Sequence, residues 1–309
     1  MRTYILPKDG NLYKTNLHSH TTVSDGEFSP AQIKEFYKSR GYSAVAFTDH
    51  QVCVPHPELT DDGFVALTGI EIACGIRKST SIHVCGIARD PSARLEHPNN
   101  PMNDIGLLND GIRLLNEKGF ITTLNHPRWS GLSAADIAAI QGFANMEVLN
   151  GYELILDGYG DASACYEAEL RAGRKILPLA ADDNHHKKAI TDEPGYEFFQ
   201  GFTVLKAPSL SYDALIEALD TGAFYASTGP MIHNLWLEGN TLHLECDPVR
   251  GVYVHGHLYS HRASHVVAED TITCLDLDVS KLCADSSYIW VKIVNSSGKC
   301  AWAPPLWLK

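Results

Sequence analysis

"TNLHSHTTVSDGEFSP", Thr15 to Pro30, decides how this chain is read. It places His18 and His20 one residue apart at the end of a short extended segment, follows them with Asp25, and closes on a Ser-Pro pair. Ser29 suits a helix N-cap. Pro30 suits the first helical turn, where the amide hydrogen it lacks has no intrahelical partner anyway. A helix is therefore predicted over Pro30–Arg40, with Ile33, Phe36, Tyr37 and the stem of Arg40 on one face and Gly41 as its stop. "SAVAFT" (Ser43–Thr48) then reads as a buried strand. The stretch is thus the junction of a strand-helix unit, with two imidazoles and a carboxylate in the connecting loop.

The same pattern recurs to about residue 225. Strands are predicted at Phe64–Ile72, Ile82–Ile87, Phe120–Leu124, Met146–Leu149, Ile176–Ala181 and Gly201–Leu205. Helices are predicted from Ile105 to Gly119, at Ser133–Phe143, at Asp161–Gly173 and at Tyr212–Leu219. Strands alternating with helices imply parallel βα units, about seven of them, in a closed or nearly closed barrel or in an open doubly wound sheet. After Ser227 the texture changes to period-two segments such as "NTLHLEC" and "YIWVKIV", with no convincing helix. The expected organisation is an α/β barrel over 1–227 and a small antiparallel, sandwich-like β domain over 228–309, joined through "ASTGPMI" (Ala226–Ile232).

The 309 residues are 44% hydrophobic and 20% charged, which excludes a disordered chain. A formal net charge of −12 argues against nucleic-acid polymers and anionic membranes as main partners, although an anionic substrate is compatible with a site that carries its own cations. The eight cysteines form no CxxC pair and read as reduced thiols of a cytoplasmic protein. "MRTYILPKDG" lacks the apolar core of a signal peptide, and no apolar run approaches the length of a membrane span.

Polar motifs cluster where the predicted strands end: His18, His20 and Asp25; Asp49-His50; Glu71; His83; Asn125-His126-Pro127-Arg128; and Asp182-Asp183-Asn184-His185-His186. In parallel βα architectures those ends converge on one face, so residues remote in sequence meet there. Histidine with carboxylate and without cysteine suits zinc, manganese or iron(II). So many donors exceed one coordination sphere, and a cluster of two or three ions follows. A His-x-His on an extended segment turns both imidazoles to one side, where they can share an ion. A lone Asp-His pair is ordinarily a cap or a surface pair; six motifs at six strand ends are not.

These motifs resemble the polymerase-and-histidinol-phosphatase (PHP) superfamily. "HSHTTVSDG", "FTDH", "GIE" with downstream His83 and His126, and "DDNHH" match its motifs in order between Asn16 and Ser227. The resemblance implies a distorted (β/α)7 barrel with a two- or three-metal site, of manganese, zinc or iron, that hydrolyses phosphoesters. It assigns His18, His20 and Asp183 to a first metal, Glu71 as a bridge, His83 and His126 to a second metal, and Asp25, His50 and His185 to a third. Asp182 is left as either a ligand or a support, and His186 as either substrate-facing or a surface residue. The trailing β domain, between "ASTGP" and "AWAPPLWL", looks like that of carbaryl-hydrolase-type metallohydrolases.

The expected chemistry is attack by metal-bound hydroxide on a phosphoester of a small metabolite, a nucleotide or sugar phosphate, since no Ser or Cys nucleophile is evident. Arg128 either clamps phosphate or makes a surface salt bridge, and Trp129 either stacks on a base or packs beneath its loop. Two other functions compete: a carboxylester or carbamate hydrolase on the same metals, and a non-catalytic metal-binding regulatory module. A second histidine-rich stretch, "HGHLYSHRASH", reads as a polar strand face and turn rather than a metal site.

Overall fold

The computed structural model describes residues 2–77, 80–96, 103–185, 197–258 and 260–308. The chain begins with β1 (Arg2–Tyr4), β2 (Asn11–Asn16), α1 (Pro30–Ser39), β3 (Ala44–Phe47), β4 (Val52–Cys53), β5 (Val65–Arg77), β6 (Thr80–Ala88) and β7 (Leu95–Glu96). It continues through α2 (Ile105–Glu117), β8 (Phe120–Leu124), α3 (Ala134–Ala139), β9 (Asn145–Asn150), α4 (Gly151–Leu156), α5 (Ser163–Arg171), β10 (Leu177–Ala181), β11 (Phe202–Ala207), α6 (Tyr212–Thr221) and β12 (Phe224–Ser227). The remainder comprises β13 (Ile232–Glu238), β14 (Thr241–Val249), β15 (Gly251–His255), β16 (Arg262–Val266), β17 (Ile272–Asp278), α7 (Ser280–Asp285), β18 (Tyr288–Val294), β19 (Cys300–Trp302) and β20 (Leu306–Trp307).

Helix α1 forms as its sequence dictates. Ser29 accepts from the Gln32 amide, the Gln32 side chain bonds back to the Ser29 amide, and Ile33 and Tyr37 are buried. The helix predicted over Ser133–Phe143 is shorter. Ile140 turns extended to bury its side chain, Gly142 takes a left-handed φ of 89°, and Arg174 donates to the carbonyls of Ile137, Ala138 and Ile140 at the end of the helix.

The large sheet is mixed rather than parallel. Its order is β10-β9-β8-β6-β5-β3-β2-β11-β12-β19-β18-β15-β16. The pairs β10/β9, β9/β8, β5/β3 and β3/β2 are parallel, whereas β6 is antiparallel to both β5 and β8, and β11 is antiparallel to both β2 and β12. The expectation of uniformly parallel units fails at β5 and β6 because only two residues separate them, too few for a crossover.

Strands β3, β5, β6, β8, β10, β11 and β12 all feed one apolar cluster, with Ala46, Leu67, Ile87, Ile121, Leu179, Leu205 and Phe224 packed around Leu215 and Leu219 of α6. Among the described residues no ladder joins β10 to β11 or to β2. The Thr203 hydroxyl of β11 instead bonds both the amide and the carbonyl of Ala180 in β10. Beyond the strand ends a single parallel bridge, Ser19 to Asn184, ties the extension of β2 to that of β10.

Past Ser227 the strands are antiparallel, as the period-two pattern implies. Sheet β1-β13-β14-β17 faces the continuation of the large sheet, and Leu235, Leu242 and Leu244 pack in one cluster with Val252, Ile289 and Val291. That cluster also contains Ile33, Val45 and Val204, so the apolar core is continuous across residue 227. Two features depart from expectation. The N-terminal β1 pairs with β13, and the six-residue helix α7 buries Leu282 where no helix was foreseen.

Candidate metal centre

The bridge between Ser19 and Asn184 keeps residues 17–20 extended beyond β2. His20 N donates to Asn184 O at 3.0 Å and Asp183 N to His18 O at 3.0 Å. Ser19 bonds outward to Thr48, so His18 and His20 both turn inward, 1% and 0% exposed. The following loop folds back against them. Asp49 accepts from the amides and hydroxyls of Thr21 and Ser24, which positions Asp25. Gly26 permits this, since a Cβ there would lie 2.6 Å from the His20 carbonyl carbon.

Glu71 is not at a strand end. It lies in the middle of the 13-residue β5, at the level where β3 stops and His50 bridges to it. His83 is likewise inside β6, brought to the same level by antiparallel register. His126 follows β8, and Asp183 and His185 follow β10.

Five imidazoles surround the Glu71 carboxylate. Oε1 lies 3.1 Å from His18 Nε2, 3.2 Å from His83 Nδ1 and 3.8 Å from His126 Nε2. Oε2 lies 2.9 Å from His50 Nδ1 and 3.2 Å from His20 Nε2. Asp183 Oδ1 is 3.0 Å from His18 Nε2 and 3.1 Å from His20 Nε2, and those two nitrogens are 3.2 Å apart. Asp25 Oδ1 is 3.6 Å from His185 Nε2 and 3.8 Å from both His20 Nδ1 and His50 Nε2. All nine residues assigned to metals by the resemblance therefore converge. Their donor atoms form overlapping groups: His18, His20 and Asp183; His50, Glu71 and His83; and His20, Asp25, His50 and His185. His126 joins through its approach to Glu71 and Asp183.

These residues fit divalent cations. Glu71 Oε2 and Asp183 Oδ1 are buried and accept no hydrogen bond, although imidazole nitrogens stand 2.9–3.2 Å away. Titration tells the same story. Burial works against both charged forms, yet the carboxylates Asp183, Glu71 and Glu147 hold His18 well above the usual imidazole range. The adjacent Asp183 and Glu71 carboxylates likewise overcome burial to lift His20 to about 9. Burial works against the charge of Glu71 and Asp183 too, but the imidazoles hold both carboxyls well below theirs. Burial and the neighbouring His20 push His185 down to about 4. Protons on His18 and His20 occupy the place a cation suits better.

A second layer of residues supports the first, and two of them, Glu147 and Cys85, were not singled out from the sequence. Glu147 of β9 lies 2.8 Å from His18 Nδ1 and accepts from the His126 amide at 2.9 Å. Asn125 donates to Glu71 Oε1 at 2.6 Å and to Cys85 Sγ at 3.1 Å. Cys85 also groups with His18 and Glu71, so the donor set includes a sulfur; burial holds its thiol at about 11. Asp182 belongs to none of the donor groups. It accepts the amides of Phe199, Gln200 and Gly201 and the Tyr37 hydroxyl, and burial raises its carboxyl to about 6. Gln51, His126 and Asp183 all take positive φ, at 59°, 27° and 54°. Non-glycine residues avoid that region, and here the strained positions sit where strands deliver side chains to the centre.

Arg128 is exposed; it donates to the Asp161 carbonyl at 3.0 Å and lies over the Tyr159 ring. Trp129 packs against His83 and His126, and Tyr152 against His185. His186 lies outside the described residues. In "HGHLYSHRASH" no three side chains converge as a metal group among the described residues.

No family model and no curated protein matches the chain by sequence. Solved structures do match. A two-domain protein from Bacteroides vulgatus containing a predicted PHP-like metal-dependent phosphoesterase aligns over 97% of both chains at 15% identity, with a TM-score of 0.50. A metal-dependent phosphoesterase assigned in Bifidobacterium adolescentis aligns over 68% of this chain and 96% of its own, at 16% identity and a TM-score of 0.41. An amidohydrolase from Chromobacterium violaceum with bound sulfate and no metal aligns over 68% and 96%, at 13% identity and a TM-score of 0.42. The first match shows a fold shared along the whole chain, so the PHP-like resemblance of the motifs holds at the level of fold. Among the described residues, no helix is long and apolar enough to cross a membrane.

Proposed function

We propose that this chain is a PHP-type metal-dependent hydrolase that cleaves a phosphoester of a small metabolite, a nucleotide or a sugar phosphate. The observation that carries the reading is the chain of overlapping donor groups, two of which share Glu71, whose two carboxylate oxygens face different sets of imidazoles. That arrangement suits two or three ions of manganese, zinc or iron(II) with Glu71 between them. When bound, such ions supply a water acidified toward neutral pH and neutralise charge on the substrate and its leaving oxygen. The chain's own residues hold the donors: His18, His20 and Asp183 as one set, Glu71, His83 and His126 as a second, Asp25, His50 and His185 as a third.

The reading includes a distorted (β/α)7 barrel of β2, β3, β5, β6, β8, β9 and β10, supported by the shared interior cluster and the bridge from Ser19 to Asn184. It also includes a division near Ser227, with β1 contributed back to the C-terminal sheet. A small anionic metabolite suits a protein of net charge −12 only because the centre brings its own cations.

A second reading, a carboxylester or carbamate hydrolase of the carbaryl-hydrolase type, is favoured by one observation. The basic residue nominated for phosphate, Arg128, is engaged with Asp161 and Tyr159, while two aromatic rings, Trp129 and Tyr152, flank the cluster. Metal analysis followed by assay against phosphomonoesters, cyclic diesters, aryl esters and aryl carbamates separates the two. Turnover of phosphoesters alone supports the first reading; turnover of esters or carbamates alone overturns it.

A further inference from the structure

We propose that Glu147 is a positioning residue that builds the first two metal positions and not the third, an inference that rests on the metal-centre reading above. Glu147 lies in the middle of β9, 1% exposed, between Met146 and Val148, which are buried in an apolar cluster. A carboxylate is costly there unless it is bonded throughout, and both of its oxygens are engaged. Oε1 lies 2.8 Å from His18 Nδ1. Oε2 accepts from the His126 backbone amide at 2.9 Å and from Asn150 Nδ2 at 3.0 Å. Glu147 belongs to none of the donor groups.

Each bond serves a candidate ligand. A carboxylate has no proton to give, so the one between Glu147 and His18 sits on Nδ1, and the Nε2 lone pair is left for the centre, 3.0 Å from Asp183 Oδ1 and 3.1 Å from Glu71 Oε1. His126 follows the end of β8 with a strained φ of 27°, where its amide has left the ladder; Glu147 Oε2 gives it an acceptor. Asn150 uses its amide group between Glu147 and Asp183 Oδ2, 3.1 Å away, and so ties Asp183 to the same carboxylate. His18 and Asp183 belong to the first set and His126 to the second. No bond from Glu147 reaches Asp25, His50 or His185.

The experiment uses the full chain and zinc alone as the probe. Nitrogen-15 spectra of histidine-labelled, zinc-loaded wild-type protein should show His18 protonated at Nδ1 and metal-bound at Nε2; metal at Nδ1 overturns the proposal without any variant having to fold. Zinc titration by calorimetry then compares wild type, Glu147→Gln and Asp25→Asn. Glutamine fills the same space but offers one acceptor where two are used. Glu147→Gln should weaken zinc binding about 10- to 100-fold at the positions that Asp25→Asn leaves intact, and leave unchanged the one that Asp25→Asn removes. Equal wild-type and Glu147→Gln isotherms would overturn the positioning role alone. A wild-type protein that binds no zinc, manganese or iron(II) would instead overturn the metal-centre reading beneath it.

Discussion

Replacing Glu71 by glutamine should empty the centre while leaving the fold in place. The change keeps the volume of a side chain that is 0% exposed and removes one charge from the point where five imidazoles meet. The glutamine oxygen has an obligatory partner, because Asn125 Nδ2 donates to Oε1 at 2.6 Å and an NH2 group there would face another donor. The new NH2 group must therefore replace Oε2, opposite His50 and His20, where it cannot ligate. Attraction between one charge and a dication at 4 Å is about 8 kcal/mol at an effective dielectric of 20. Water and rearrangement return most of that, but a third of it is already about 100-fold in affinity. Even outer-shell changes commonly cost 10- to 100-fold. Metal affinity and hydrolysis of an aryl phosphate should thus fall together by at least about 100-fold. Elemental analysis of dialysed protein and a rate measurement suffice. Full occupancy with a near-normal rate would refute the reasoning and remove Glu71 from the centre.

Other consequences are equally open to measurement. Asp25→Asn alters a half-exposed carboxylate that touches His50 and His185 of the third set and only the Nδ1 side of His20, away from its Nε2 beside Glu71 and Asp183, so the metal count should fall by one per chain while the remaining ions stay; loss of every ion would contradict the grouping. Asp182→Asn removes an acceptor from a side chain that gathers three amides and a hydroxyl, and should cost about 1–3 kcal/mol by thermal or denaturant unfolding with metal content unchanged. A variant that keeps its stability and loses metal would make Asp182 a ligand after all. Chelation should lower the melting temperature as well as abolish activity, since ions at 1,000 times their dissociation constant stabilise the folded state by about 4 kcal/mol. Activity that survives exhaustive chelation would argue for a metal-free reaction.

Much of this was legible in the sequence because it depends on local chemistry. Ser29 and Pro30 predict where α1 begins, the excess of histidine beside Asp and Glu marks the motifs that converge, and the family resemblance implies the nine residues among them. What escaped depends on pairing between distant segments. Nothing in "RTY" near the N-terminus tells of pairing with residues 236–238, and nothing in Ile82–Ile87 states that the strand runs antiparallel. Helix α4 was passed over because "GYELIL" is too short for periodicity to stand out, although Asn150 caps it. Glu147 is the instructive omission. The reasoning that singled out Glu71, an acid inside an apolar run, applies unchanged to "MEVL", and only the absence of a neighbouring histidine or Asp-His motif kept it from notice. Cys85 was missed because an isolated cysteine in an apolar strand carries no spacing signal, and antiparallel register alone sets it opposite Glu71.

The most direct test is the metal content of the intact protein. Chain purified without chelator, or reloaded with manganese, zinc or iron(II) and passed through a desalting column, should retain two or three ions per chain by elemental analysis. Fewer than one ion per chain after reloading would contradict a centre built around Glu71, and with it the hydrolase that the centre supports.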